Sequence, residues 1–377
     1  MAKHVVILKS RAALAGGLEK SANRIISAFV DRGAQVSVLT TGKTPPNQPQ
    51  VSFYSANTWS WPSFLKMEQF DRFTKKWIQH HGADLVFGMD RNREQTHIRA
   101  GNGVHDAYLQ SRRWTEGRLK ELSCRLNPMH RKILQLEKTS FEHPRLKKIF
   151  ANSHMVRQQI LERYKVDPAN IEVIHNGVEW NEMKEDFAQW PSKKETLLEL
   201  FGLPSGVFHF LFVGSGYLRK GLSQLLTGLS RLPTKDFHLS VIGKDRRMEE
   251  YIHKTDLLGL SKHVRFFGPQ SDIRPFYQLA DALVIPSFYD PFANVTVEAL
   301  AMGLSVISSY QNGGHEIITP QNGLCIESLL DPEAMTQALT AALQSPKTPA
   351  RAQAIRNSVE HLDFSIQLDL LMRACLE

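Results

Sequence analysis

Short apolar, β-branched runs alternate with helical patterns along most of this 377-residue chain, and that alternation restricts the fold more than any other feature. Val5–Leu8 is followed by Gly16-Gly17, then by apolar residues at helical spacing, Ile25, Ile26 and Phe29. Gly33 closes the pattern, and Gln35–Thr40 resumes as a strand. Strand, glycine loop, helix, strand is a βαβ unit, so the sheet is expected to be parallel. Further strands are expected at 85–87, 148–152 and 171–174. A second series reads 208–213, 237–242, 264–267, 282–285 and 305–308, with spacings near 25 residues.

The length suits two domains. Trp180, Trp190-Pro191 and Pro204 punctuate a charged stretch over 180–206, which reads as the connection and a lead-in helix. The predicted division is 1–183 and 184–362, with a C-terminal helix over 363–377 crossing back onto the first domain. Both halves read as doubly wound, Rossmann-like α/β domains, with a ligand cleft at their strand carboxyl ends.

The chemistry-bearing segment is Ser287–Glu298. Asp290 is placed in a loop after the apolar run 282–286, and Glu298 in the opening turn of a helix running to Gly303. Carboxylates accept sugar hydroxyl protons, and a helix N-terminus favours phosphate. The backbone from Phe292 and Ala293 through Asn294, Val295 and Thr296 leads into that helix, where its N–H groups would meet a distal phosphate. Asp290 would hold sugar hydroxyls, although a turn with Pro291 explains it too. Glu298 would accept both ribose hydroxyls; the plainer reading is an acid favoured by the helix dipole.

Upstream, Gly214–Gly221 follows a strand and supplies Arg219 and Lys220. Glycines admit close backbone approach, and two cations grip a diphosphate and stabilise its charge as it leaves. No Gly-Lys-Ser/Thr is present there, so this is not a P-loop. Gly16 and Gly17 occupy the first βα loop, a phosphate-contact position or a simple turn. His105 and Asp106 end a second glycine-rich stretch from Arg99 and are candidates for the reacting sugar. Gly243-Lys244 and Phe267-Gly268, with Asp272, end two strands where backbone atoms could read a base edge; turn formation explains these glycines nearly as well.

Three cysteines, Cys124, Cys325 and Cys375, argue against a disulfide framework or a cysteine zinc site and suit a reducing cytoplasm. No apolar run approaches the length needed to span a bilayer, and the start reads as a strand rather than a signal peptide. The net charge of +8 is uneven: residues 91–165 carry 17 Lys/Arg against 7 Asp/Glu. That block suits an anionic partner or, more plainly, a solvated helical face over 110–142. Trp59, Trp61 and Trp114 are candidate interfacial aromatics or core residues. No nucleic-acid motif accompanies the charge, so nucleic acid is not the expected partner.

Gly16-Gly17, Arg219-Lys220-Gly221, the Asp290…Glu298 pair and the run Glu298–Gly303 resemble the retaining family-four glycosyltransferases. The resemblance covers nearly the whole chain. Within that family, 212–221 and 241–245 are similar to the bacterial lipopolysaccharide core glucosyltransferases. The resemblance implies the GT-B fold, a nucleotide-sugar donor in the C-terminal domain, and no cofactor or metal. It also implies that Arg219 and Lys220 bind diphosphate, Glu298 ribose and Asp290 the donor sugar, with His105 near the reacting carbon. The family usually has Glu where this chain has Asp290, which bears on the donor sugar.

The expected activity is hexosyl transfer, glucose first, from a UDP-sugar to a lipopolysaccharide core or related phosphorylated glycolipid. The expected location is the cytoplasmic face of the inner membrane, held by its anionic surface. Rival readings are a soluble enzyme making a small-molecule glycoside, a nucleotide-sugar epimerase, and a non-enzymatic binder of anionic polymers.

Overall fold

The computed structural model describes residues 3–10, 17–58 and 62–376. The chain divides into two compact units, residues 1–175 with 367–377, and residues 176–366.

Among the described residues the first unit holds seven strands: β1 (His4–Leu8), β2 (Gln35–Thr41), β3 (Val51–Ala56), β4 (Leu85–Gly88), β5 (His97–Ala100), β6 (Lys148–Ala151) and β7 (Ile171–Val173). They form one sheet in the order β3-β2-β1-β4-β5-β6-β7, every pair parallel. Val5 to Leu8 are fully buried, as a strand covered on both faces must be. The C-terminal helix Phe364–Leu376 belongs largely to this unit. Leu371, Met372 and Cys375 pack with Val5, Ile7, Phe29 and Phe150, and Asp369 pairs with Arg32 at 2.6 Å.

The second unit repeats the plan with β8 (Phe208–Val213), β9 (Phe237–Ile242), β10 (Val264–Gly268), β11 (Ala282–Ile285), β12 (Ser305–Ser309) and β13 (Gly323–Ile326). Their order is β10-β9-β8-β11-β12-β13, again all parallel. Strand order therefore reverses between β8 and β11. At such a reversal the two following loops diverge and leave a crevice beyond the strand carboxyl ends.

Two expectations need correction. The first is the boundary, which falls at 175/176 rather than 183/184. Val178 bonds Leu362 and Phe364 through its backbone, and Trp180 donates to Arg356 O at 3.1 Å while the buried Arg356 guanidinium lies over its ring. These contacts fix 176–183 to the second unit. The lead-in helix expected within 180–206 is Lys184–Leu200, inside the second unit, with Pro191 inside it and Trp190 buried under the Lys347 ammonium.

The second concerns helix register. The helix carrying Glu298 spans Asn294–Ala301, so Glu298 is its fifth residue and not in its first turn. The helix begins at Asn294, with Ala293 still extended before it and Thr296 N donating to Ala293 O at 2.9 Å. The helix-dipole explanation for Glu298 therefore lapses, because that effect fades beyond the first turn.

Candidate active site

In the second unit the loops after β8 and β11 meet at the reversal point. Gly216 and Gly221 take left-handed backbone conformations around the short helix Tyr217–Lys220. A side chain at Gly221 would lie 2.0 Å from Pro286 O, so only glycine lets the loops approach. Phe288 N donates to Arg219 O at 2.8 Å across the same seam.

This seam brings Arg219, Lys220 and Asp290 together. Lys220 Nζ donates to Asp290 Oδ2 at 2.6 Å, and Arg219 Nη1 donates to the same oxygen at 2.9 Å and to Tyr289 O at 2.7 Å. Lys220 and Asp290 are each 7% exposed. Burial alone would raise the Asp290 pKa, but Lys220 and Arg219 outweigh it and hold the carboxyl below its usual range. Burial pulls the Lys220 ammonium below the ordinary lysine value despite the carboxylate beside it. Two cations against one carboxylate leave a positive excess, which suits an anion.

The Asp290 backbone is equally fixed. Its N–H donates to Gln311 O at 2.9 Å and its carbonyl accepts from Gly313 N at 2.8 Å. Next to it stands a residue the sequence reading passed over, the fully buried Asn312. Its Oδ1 accepts from Ala293 N at 3.0 Å and Gly314 N at 3.1 Å, and its Nδ2 donates to Ser308 Oγ at 3.0 Å and Thr296 Oγ1 at 3.3 Å. One amide thus ties the end of β12 to the start of the helix Asn294–Ala301. The Asn-Gly-Gly turn at 312–314 was the available signal. Phe292 and Ala293 are buried, Val295 is half-buried, and Asn294 is exposed and accepts from Asn176 Nδ2 at 2.7 Å. The first-turn N–H groups of Asn294 and Val295 have no acceptor within the helix.

Glu298 is half-buried and accepts from Tyr277 Oη at 2.8 Å. Tyr277 is fully buried, and burial together with that carboxylate pushes its hydroxyl pKa well up, so it stays a donor. No local pattern marks Tyr277 as a partner.

The loops after β8, β9 and β10 are stitched together: Gly214 N bonds Ile242 O and Gly243 N bonds Gly268 O, each at 2.9 Å. A side chain at Gly243 would lie 2.1 Å from Gly214 O. Gly214, Gly243 and Gly268 therefore share one rim, with Lys244 exposed on it. Phe267 packs edge-on to Phe201 and Phe276. Asp272 is exposed and gripped bidentately by Arg274.

In the first unit, His105 opens the helix His105–Glu116. Its N–H donates to both oxygens of the buried Glu137 at 2.9 Å. Burial, with Arg91 and His130 adding to it, brings the His105 pKa down to about 3, so the ring is neutral at physiological pH. Asp106 is an ion-pair hub, bound to Arg125 at 2.6 Å and Arg163 at 3.2 Å. It ties helices together rather than presenting a bare carboxylate. Gly17 begins the helix Gly17–Asp31; Gly16, Trp59 and Trp61 lie outside the described residues.

Two parallel α/β units, the second with a cation–carboxylate cluster at its strand reversal, are the architecture of a GT-B enzyme. Residues 15–181 match the family described as Glycosyltransferase Family 4, and residues 193–360 match Glycosyl transferases group 1. The chain belongs to this glycosyltransferase family and is a transferase.

Lipopolysaccharide glucosyltransferase WaaG of Escherichia coli is 24% identical over 360 residues, 93% of this chain and 92% of that protein. A D-inositol 3-phosphate glycosyltransferase of Corynebacterium glutamicum is 30% identical over 224 residues, 56% of this chain and 51% of its own. Among solved structures, WaaG superposes with a TM-score of 0.80 at 21% identity over 99% of both chains. Anabaena HepE in complex with UDP-glucose gives 0.71 at 16% identity, also over 99% of each. These likenesses show the fold.

Proposed function

We propose that this enzyme moves a hexose, glucose first, from a UDP-sugar to a lipopolysaccharide core or related phosphorylated glycolipid, with retention and without a metal. The observation that carries the reading is the Arg219–Lys220–Asp290 cluster at the reversal of the second sheet. Lys220 and Arg219 would face the diphosphate, whose negative charge grows as the sugar leaves. Cations held in place by Asp290 stabilise that change with little reorganisation. The first-turn amides of Asn294 and Val295 would add to the same anion site. Glu298, oriented by Tyr277, would accept the ribose hydroxyls, and Asp290 would reach the donor sugar. His105 would meet a sugar hydroxyl as a neutral hydrogen-bond partner.

For the acceptor side, the names of WaaG and its glucosyltransferase activity support a lipopolysaccharide substrate. Among the described residues, no helix is long and apolar enough to cross a membrane. The helix Arg118–Leu126 instead exposes Leu119 (85%), Leu122 (57%) and Leu126 (67%) at i, i+3 and i+7. Trp114 is exposed nearby, and Arg118, Lys120 and Arg131 are exposed around them. An apolar stripe among cations fits an anionic lipid surface. The stripe supports docking on an anionic membrane, which in this reading is the cytoplasmic face of the inner membrane.

Calorimetric titration with UDP, GDP, ADP and their glucose conjugates, with EDTA present, tests the donor reading. Selective tight binding of UDP and UDP-glucose is expected; loss of binding on chelation would remove metal independence. The inositol-phosphate relative favours a second reading, a small soluble acceptor. Sedimentation with phosphatidylglycerol vesicles separates the two, since the second predicts no association.

A further inference from the structure

The helix Pro128–Phe141 holds His105 twice. Glu137 takes the His105 backbone N–H, and His130, seven residues earlier and so on the same helical face, meets the His105 ring. His105 Nε2 and His130 Nδ1 lie 3.0 Å apart. Glu137 is itself fixed by Arg91 Nε at 2.8 Å and by Tyr164 Oη at 2.6 Å, so the ring is presented from a rigid base.

We propose that His130 is a positioning residue that sets the tautomer of His105, so that Nε2–H donates to His130 and Nδ1 is left bare to accept from a sugar hydroxyl. The inference rests on the reading of His105 as a sugar contact.

Two neutral imidazoles joined by one hydrogen bond share a single proton at the contact, so one ring donates and the other accepts. With His105 donating, both rings carry their proton on Nε2, the form that a free neutral histidine side chain prefers. The opposite arrangement would put both rings in their less favoured Nδ1–H form. A further proton on the pair is opposed by burial, by Arg91 beside His105 and by Arg112 beside His130. The nearby acid, Asp106, is engaged by Arg125 and Arg163. The nitrogen opposite a hydrogen-bonded one is then the group offered to a ligand.

The test uses the full chain with 15N-labelled histidine. Long-range 1H–15N spectra between pH 5 and 8 should show His105 with a protonated Nε2 and a bare Nδ1, the signal being assigned by its loss in His105→Phe. His130→Phe should give a mixture of tautomers and lower kcat for UDP release from UDP-glucose about tenfold, the value of one hydrogen bond to a reacting group. In His130→Asn the amide oxygen can sit where Nδ1 sits, so the single tautomer and most of the lost turnover should return. A protonated Nδ1 in the parent chain, or an unchanged tautomer in His130→Phe, would overturn the inference. Unchanged UDP release in His105→Phe would instead overturn the sugar-contact reading beneath it.

Discussion

The rim of the second sheet and the helix Arg118–Leu126 of the first unit invert the usual rules of burial in opposite ways. At the rim, charges go inside: Lys220 and Asp290 are nearly inaccessible and share an ion pair with Arg219. On the helix, apolar residues go outside: three leucines of one stripe face solvent. A buried ion pair is weak evidence for stability, since desolvation consumes much of its attraction. Its geometry is nonetheless rigid, which suits a site that must be preorganised for charge. An exposed leucine stripe adds little to the core, and the proposed function gives it a membrane surface to meet. Under the proposed function one region serves chemistry and the other docking, so each can be perturbed without the other.

The largest effect is expected at the rim. Lys220→Ala should lower turnover of UDP-glucose by about 100- to 1,000-fold, the usual loss when one preorganised donor to a developing charge is removed. It should also destabilise the second unit, because the buried Asp290 keeps only Arg219; chemical denaturation with urea measures this at about 3–5 kcal/mol. Equal turnover would break the contrast, by making the rim structural only.

Acid should act through buried neutral histidines in both units. His209 and His238 have pKa values brought down to about 4, by burial first, and His97 likewise to about 4. Their unfolded values lie near 6.5, so the unfolded chain gains protons first as pH falls. Stability is therefore full above about pH 6.5 and is lost on acidification toward pH 4, by roughly 3 kcal/mol per histidine. Asp290, held below its usual range, adds a loss only at lower pH, below about 3.9. Urea midpoints across pH 4–8 check the slope, and His238→Phe should flatten it.

Glu298→Gln should weaken UDP binding by about tenfold, equivalent to one charged hydrogen bond of about 1.4 kcal/mol. Calorimetry with UDP and 2′-deoxy-UDP sharpens the assignment: the variant's penalty should shrink for the deoxy ligand. The smallest effect on the fold belongs to the helix Arg118–Leu126. Replacing Leu119, Leu122 and Leu126 by serine should change unfolding stability by no more than about 0.5 kcal/mol each. The same changes should abolish sedimentation with anionic vesicles. Lost stability without lost vesicle binding would reverse the roles of the two regions.

The long strands were legible because large apolar residues dominate each, with only single polar residues such as His209, His238 and Ser240 between them. Phe208–Val213 and Phe237–Ile242 appear in the structure with the expected bounds. Val51–Ala56, His97–Ala100 and Gly323–Ile326 were not anticipated: they are short or broken by polar residues, and neighbouring strands hold them. Glycine loops and the two acids at 290 and 298 were also visible, since local backbone demands and chemistry leave residue-level marks.

Pairings across long separations left no such mark. The Lys220–Asp290 contact spans 70 residues, Tyr277–Glu298 spans 21, and His105–His130 spans 25. By itself the sequence determined the alternation of strand and helix, and with it two parallel sheets, because periodicity and glycine act over a few residues. Only the tertiary structure decided that residues 176–183 join the second unit, that Asp106 is an ion-pair hub, and which charges meet at the rim. Those outcomes depend on which distant surfaces exclude water from one another, and no short stretch of chain encodes that.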